Sequence, residues 1–419
     1  MTNYLLTKTF LPQQIFESVS PELGIIVVIP CYNEPDLISS LNSLYNCDDT
    51  EKDVEVIAVV NSSESASEKA KIQNQKTLSD SAEWIENNQK KKLKFHLIHS
   101  PNLPKKNAGV GLARKIGMDE AVRRFESIGH KNGIIVGLDA DSLCEKNYLA
   151  EIESYFKDFP KTKAVSIHFE HPMSGNLDPK IYEGIISYEL HLRYYINSLR
   201  YAGFPFAYHT IGSSFAVRSD VYQQQGGMNK RQAGEDFYFL QKVIPLGNYG
   251  EIISTKVIPS PRSSDRVPFG TGRAIGEYLQ QEHSEFLTYN PHTFSDLKSF
   301  IELIPMFYST DKNALKSILE KIPESVCKFL ESVDFESNLN EIKNNSSGSD
   351  SFNNRFFRWF NGFMVLKFVH FSRDHFYPNQ TVGEAAAELL RLKQVQVVEN
   401  ISEKELLFIF RELDKKGRN

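Results

Sequence analysis

Gly133-Ile134-Ile135-Val136-Gly137-Leu138-Asp139-Ala140-Asp141-Ser142 is an apolar run that ends in two carboxylates one residue apart. A run of this kind reads as a strand buried on both faces. The carboxylates then fall at its carboxyl end, where open α/β sheets bind ligands. Two carboxylates this close repel each other unless positive charge stands between or beside them. A hard divalent cation, Mg²⁺ or Mn²⁺, suits such oxygen donors and keeps coordination positions for phosphate oxygens. A solvated turn that happens to hold two aspartates is the other reading of D-x-D, and the flanking sequence has to decide between them.

Working outward, strand and helix patterns alternate over the first 260 residues. GIIVVIP (24–30), VEVIAVV (54–60), LKFHLIH (93–99) and AVSIHFEH (164–171) read as further strands. Asn33 and Pro35 suit a helix start, and Leu37, Ile38, Leu41, Leu44 and Tyr45 follow at helical spacing. A polar segment up to Lys92 reads as helical. Residues 108–127 carry Val110, Ala113, Met118, Ala121, Val122 and Phe125 along a helix, and another helix is expected near 147–157. A long helix is predicted over 180–199, with short strands around Ile211–Val217 and helices near 219–225 and 235–244. Such alternation predicts an α/β fold, a mostly parallel sheet flanked by helices. From 271 onward the pattern is helical, interrupted by KNNSSGSDSFNN (343–354), which reads as a flexible loop. The expected division is a catalytic domain over 1–270 and a mainly helical region over 271–419.

Composition narrows the partners. In 419 residues, Lys+Arg 48 against Asp+Glu 53 gives a net charge of -5. No global basic field exists to gather nucleic acid, so a polyanion must be held by a local site. The four cysteines, Cys31, Cys47, Cys144 and Cys327, include no C-x-x-C pair. This fits a reducing, cytoplasmic setting and speaks against a disulfide framework or a structural zinc site. MTNYLLTKTF lacks the basic leader and apolar core of a signal peptide. No stretch reaches the roughly 18 uncharged apolar residues of a spanning helix. Aromatic residues are abundant, with Phe 29 and Tyr 18, and many fall in 180–208 and 352–377. The run at 352–371 reads either as the core face of a helix or as an aromatic, basic surface making shallow, peripheral membrane contact.

Four segments in order carry a resemblance. They are VVIPCYNE (27–34); Lys105-Lys106-Asn107-Ala108-Gly109-Val110-Gly111-Leu112-Ala113-Arg114; the D-x-D at 139–141; and Gly212-Ser213-Ser214-Phe215-Ala216-Val217-Arg218 followed by Gly226-Gly227-Met228 and Gly234-Glu235-Asp236. Together they resemble the family 2 glycosyltransferases, which have the GT-A fold. Four matches in sequence are far more specific than D-x-D alone.

The resemblance implies a nucleoside-diphosphate sugar lying across the carboxyl edge of the sheet, with a carbohydrate, lipid-linked or other hydroxyl acceptor. Pro30, Tyr32 and Glu34 would contact base and ribose. Asn61 stands where the family usually has an Asp, and its amide brings a donor as well as an acceptor. Asp141 would bind Mn²⁺ or Mg²⁺ directly, with Asp139 on the ribose or on a metal-bound water. Lys105, Lys106 and Arg114 would approach the diphosphate, or else form a solvated basic face. Asp236 would be the general base of an inverting transfer, and Glu235 an acceptor contact, although both also suit a helix N-terminus without any catalysis. The loop 260–273, with Arg262, Arg266 and Arg273, either closes three guanidinia over the diphosphate or connects two parts of the chain with its arginines paired to acids. His168, His171 and His209 read as structural or acceptor contacts.

Other readings remain open at this point. A retaining enzyme of the same fold shares the strand-end D-x-D. A haloacid-dehalogenase-like phosphatase also carries one, but at the start of its domain rather than after three strands. A non-catalytic sugar or nucleotide-binding protein has no need of Asp236. A Rossmann dehydrogenase is disfavoured, because no G-x-G-x-x-G follows the first strand. Arg355-Phe356-Phe357-Arg358-Trp359 shares its Arg-Trp end with the Gln-x-x-Arg-Trp element of processive polysaccharide synthases, but it lacks the Gln and any membrane helices, and it is set aside.

Overall fold

All nine residues of strand β1 (Leu23–Cys31) are buried, as a run of Ile and Val without a polar face requires. It pairs in parallel with β2 (Asp53–Ser63) on one side and β4 (Ile134–Gly137) on the other, and β2 pairs in parallel with β3 (Leu93–Leu103). The computed structural model describes residues 2–266, 270–280 and 285–416. Adding β5 (Leu143–Cys144), β6 (Ala164–Phe169), β7 (Phe215–Arg218) and β8 (Tyr249–Ile258), the sheet order is β3-β2-β1-β4-β7-β6-β8-β5. β6 and β8 are also parallel, whereas β7 runs antiparallel to β4 and β6, and β5 antiparallel to β8. Strand β8 was not expected. Its sequence YGEIISTKVI has no clean alternation, and only three of its ten residues are buried.

The chain divides into two compact units, residues 1–182 with 210–277, and residues 183–209 with 278–419. The units part at 277/278, seven residues after the expected 270/271, and 183–209 groups with the later residues. In the first unit lie helices α1 (Asn3–Thr7), α2 (Leu37–Tyr45), α3 (Glu68–Asn87), α4 (Val110–Ser127) and α5 (Tyr148–Asp158), the first turn of α6 (Pro179–Tyr201), then α7 (Ser219–Gln224), α8 (Glu235–Val243) and most of α9 (Thr271–Gln280). Helix α2 starts at Leu37 with Asp36 as its cap, three residues later than Asn33 suggested.

Helix α4 is buried on more than the single apolar face its sequence shows, because the N-terminal segment packs against it. Its charged residues are paired, as burial demands. Lys115 and Asp119 lie 3.1 Å apart, and Tyr4 and Tyr222 donate to Asp119 at 2.6 and 3.0 Å. Glu120 accepts from the backbone N–H groups of Gln14 and Ile15, and Arg124 donates to Glu55 at 2.7 Å.

The second unit holds the rest of α6 and helices α10 (Pro291–Phe307), α11 (Lys312–Leu319), α12 (Glu324–Ser332), α13 (Phe335–Asn344), α14 (Ser349–Trp359), α15 (Gly362–His375), α16 (Val382–Leu392) and α17 (Glu403–Lys415), with a ribbon of β9 (Leu287–Thr288) and β10 (Gln380–Thr381). The loop expected at 343–354 shrinks to 345–348. Asn345 and Ser346 turn their side chains back onto the carbonyls of Glu341 and Ile342, so polar residues that look like linker finish a helix instead. The aromatic run of 352–371 contributes to the core, the first of its two readings, with several of its rings half-buried. Phe352, Phe356, Phe360 and Phe368 are buried, and Phe300 packs edge-on against Phe360 at 5.2 Å. No helix among the described residues is long and apolar enough to cross a membrane.

A buried ionic knot ties α17 to α6. Asp414 accepts from Arg193 at 2.5 Å, Arg200 and Asn197 at 2.9 Å and His209 at 3.0 Å, while Glu189 accepts from Arg193 and Arg411 at 2.8 Å. His209 is thereby structural. Burial works against the Asp414 charge, but His209, Arg193 and Arg200 outweigh it and hold the carboxyl well below its ordinary range. Its stabilisation is thus present above the unfolded carboxyl pKa and is lost as pH falls through the depressed one. Asp414→Asn leaves buried guanidinia short of a counter-charge and should cost about 3–5 kcal/mol at neutral pH. Denaturant unfolding of the full chain measures this, and an unchanged midpoint would show the knot to be energetically idle.

Candidate active site

The carboxyl ends of β1, β2 and β4 meet where the strand order turns from β1 to β4, the position that favours ligand binding in such sheets. Pro30 sits within β1 opposite Val59, and Tyr32, just beyond it, is half-buried. The backbone then bends through Asn33, whose φ of 49° is left-handed. Its N–H donates to Asn74 Oδ1 at 2.8 Å, Asn74 Nδ2 donates to the Asn61 carbonyl at 2.9 Å, and Thr77 donates to the Glu34 carbonyl at 2.6 Å. Helix α3 therefore pins the ends of β1 and β2 together. Sequence reading missed Asn74 and Thr77, because nothing in a polar helix distinguishes a buried Asn from a solvated one.

Asp139 and Asp141 follow β4 as expected. Ser142 N–H closes a turn onto the Asp139 carbonyl at 3.0 Å, and Ser40 Oγ lies 2.8 Å from the carbonyls of both Ala140 and Ser142. Arg262 and Arg266 converge on Asp141 Oδ2 at 3.0 and 2.9 Å. Both also bond Glu34, Arg262 through Nη1 at 3.0 Å and Arg266 at 2.7 Å. The loop thus brings two guanidinia, rather than three, to the site, and pairs them with its acids. Arg273 instead bonds Glu277 at 2.7 Å on the exposed side of α9. Burial pushes the Asp141 carboxyl up, and Asp139 adds to this against the opposing arginines. Glu34 is also buried, yet Arg262 and Arg266 outweigh burial and lower its pKa.

Arg114, expected to approach the diphosphate, is paired with acids of the chain itself. It is 2% exposed and its two Nη atoms are spent on Glu235 and Asp139. Burial disfavours its charge, but Asp139, Glu235 and Asp236 more than compensate and hold it protonated. Glu235 is raised to about 7, chiefly by burial with Asp236 and Asp139 adding, while Arg114 opposes. Asp236, in the first turn of α8, is half-buried, and its carboxyl is pushed up by burial against Arg114. Lys106 lies exposed on the turn before α4, outside this group. Lys105 reaches the site region only by its backbone, accepting from Gln232 Nε2 at 3.0 Å. His168 stands 3.0 Å from Glu170 Oε1.

The glycosyl transferase family 2 model matches residues 26–224, from β1 to the end of α7. This segment is a glycosyltransferase family 2 domain, and the chain is a glycosyltransferase. Its sheet is GT-A-like, a mostly parallel sheet flanked by helices. The glycosyltransferase is similar to two solved structures. One is TarS 1–349 of S. aureus in complex with UDP-GlcNAc, with 12% identity over 80% of this chain and 91% of that one, TM-score 0.40. The other is the mannosyltransferase PcManGT of Pyrobaculum calidifontis in complex with GDP-Man and Mn²⁺, with 16% identity over 99% and 92%, TM-score 0.34. No curated protein sequence matches significantly.

Among the described residues no three His, Cys, Asp or Glu side chains form a metal-holding group. Two adjacent carboxylates are nevertheless a fitting partial set for Mg²⁺ or Mn²⁺, which complete their spheres with phosphate oxygens and water. Asp141 Oδ1 and Asp139 Oδ2 accept no hydrogen bond among the described residues, so each carboxylate keeps one oxygen for that task.

Close packing holds the two halves of the site. A Cβ on Gly111 would overlap the Arg231 carbonyl and lie 2.9 Å from Glu235 Cβ, and one on Gly212 would overlap the Arg114 guanidinium. Gly111→Ala should therefore destabilise the glycosyltransferase by about 1–3 kcal/mol through overpacking. Urea unfolding measures it, and a neutral midpoint would mean that the 229–235 segment yields freely.

Proposed function

We propose that this glycosyltransferase is metal-dependent and inverting, moving a sugar from a nucleoside-diphosphate sugar to an acceptor hydroxyl with Asp236 as general base. The observation that carries the reading is the juxtaposition of Asp139, in the family-matched region, with Glu235-Asp236 around one guanidinium. A donor-side acid and a partly accessible acid thus stand in one site. Pro30, Tyr32 and Glu34 flank the base and ribose, and Asn61, buried at the end of β2, offers an amide to the base edge.

Asp141 and Asp139 would hold the Mn²⁺ or Mg²⁺, which when bound neutralises charge gathering on the departing diphosphate. Arg262 and Arg266, already gathered at Asp141 and Glu34, provide bidentate donors beside that position. The acceptor oxygen attacks the anomeric carbon as the bond to the diphosphate oxygen breaks. The acceptor proton passes to Asp236, and the nucleoside diphosphate leaves with the bonding pair. Asp236 must be ionised for this, and proximity to the acceptor hydroxyl matters more than intrinsic basicity. The acceptor is a carbohydrate, a lipid-linked sugar or another hydroxyl compound.

A panel of UDP-, GDP- and dTDP-sugars with Mn²⁺ or Mg²⁺ should identify the donor by thermal stabilisation. Asp141→Asn should abolish the metal-dependent part of that binding, and unchanged Mn²⁺-dependent affinity would remove Asp141 as a ligand. Asp236→Asn should keep donor binding and lose transfer, and near wild-type transfer would disprove the base. An α-linked product from an α-linked donor would point to retention.

The pH dependence has a definite sign. Burial raises the Asp236 carboxyl, and a base is lost when it protonates. Activity should therefore fall with decreasing pH through a value above the ordinary carboxylate range, near 4. Since Glu235 and Asp236 titrate as a pair, the kcat/KM profile reports that pair. An acid limb at the ordinary carboxylate value would contradict the placement of Asp236.

A further inference from the structure

We propose that Arg114 is a positioning residue that locks the donor-side Asp139 and the acceptor-side Glu235-Asp236 turn into one rigid block. It thereby fixes where the base stands relative to the donor. The proposal rests on the reading of Asp236 as base, and it reassigns an arginine that the sequence places among phosphate contacts.

Three independent observations carry it. The guanidinium is spent on both sides, one Nη to Asp139 and the other to Glu235, and Nε is buried without a hydrogen-bond partner. Both ends of the fork are thus engaged with protein carboxylates, and the side chain is almost wholly withdrawn from solvent. Next, the surroundings leave no slack: Gly212 is in contact with the guanidinium, and Gly111, three residues before Arg114 on α4, touches the 229–235 segment that leads into Glu235. Finally, Asn229 Nδ2 donates to the Glu235 carbonyl at 3.0 Å, so the backbone carrying Asp236 is held from a second side. A planar fork reaching two carboxylates on separate segments fixes both distance and direction, which an ammonium on a flexible stem does not.

The reacting atoms touch Asp236 and the donor, not Arg114, so loss of the fork should displace the base without removing a ligand. Arg114→Lys keeps the buried charge and serves as the main variant, with Arg114→Gln and Asp236→Asn beside it. Two quantities are read for each. The Kd of UDP and GDP in the presence of Mn²⁺ comes from calorimetry. The kcat for nucleoside-diphosphate release, with water as acceptor, comes from the donor sugar that the panel identifies.

Arg114→Lys is expected to keep the nucleotide Kd and the KM for the donor while kcat falls by about 100-fold, the scale of a misplacement near 1 Å. Arg114→Gln should lose at least as much kcat. A loss of nucleotide affinity at unchanged kcat would make Arg114 a phosphate ligand and overturn the proposal, as would wild-type kcat in Arg114→Lys. The two readings fail separately. Full turnover in Asp236→Asn refutes the base whatever Arg114 does. If Asp236→Asn is inactive and Arg114→Lys is not, the base stands and the positioning role falls. If Arg114→Gln fails to fold, Arg114→Lys decides the matter by the same split of kcat from Kd.

Discussion

A guanidinium withdrawn from water must be surrounded by counter-charge, because an unpaired buried ion costs several kcal/mol. Arg114 meets that condition with Asp139 from the end of β4 and Glu235 from the start of α8. The requirement organises the region. Helix α4 has to bring the arginine close, so its first turn lies against the segment before α8 with no room for a side chain at Gly111. Strand β4 has to end where its aspartate reaches the same ion, and the Ser40 and Ser142 contacts hold that turn. The chemistry assigned to Asp236 depends on this arrangement, since Asp236 is the next residue after the one the arginine holds.

A second set of ion pairs lies at the adjacent acids. Arg262 and Arg266 share Glu34 and Asp141, so the end of β1 and the D-x-D turn are linked through a loop more than a hundred residues downstream. Glu34, Asp139, Asp141, Glu235 and Asp236 still outnumber the three guanidinia among them. Burial raises Asp141, Glu235 and Asp236, with neighbouring acids adding to it, while Glu34, which takes three of the five bonds from the two arginines it shares with Asp141, is lowered.

Much of the first unit was legible because its signals are local. Apolar runs such as 24–30 and 133–138 can be satisfied only by burial on both faces, and β1 and β4 lie there. Asp139 and Asp141 were singled out by their place after a strand, and Glu235 and Asp236 by the family resemblance; the structure brings Asp139 and Glu235 onto one guanidinium. Arg114 was expected at a diphosphate, and the structure pairs it with Asp139 and Glu235. A cation after a glycine-rich turn reads the same whether it faces a ligand or two buried acids. Strand β8, the direction of β7 and the grouping of 183–209 with the later residues were missed, because strand pairing and unit membership depend on contacts far apart in sequence.

The aromatic surplus shows the same division. Composition registers the rings, but whether Phe352, Phe356 and Phe360 face a membrane, a sugar or one another is settled only when α10, α13 and α14 pack them together. By itself the sequence determined the strand-ends and the carboxylates that stand on them, since hydrophobic periodicity and side-chain chemistry act over a few residues. Only the tertiary structure decided which cation each carboxylate holds. Ion pairing under burial is a matter of distance in space, and Arg114 and Glu235, 121 residues apart in the chain, are in direct contact.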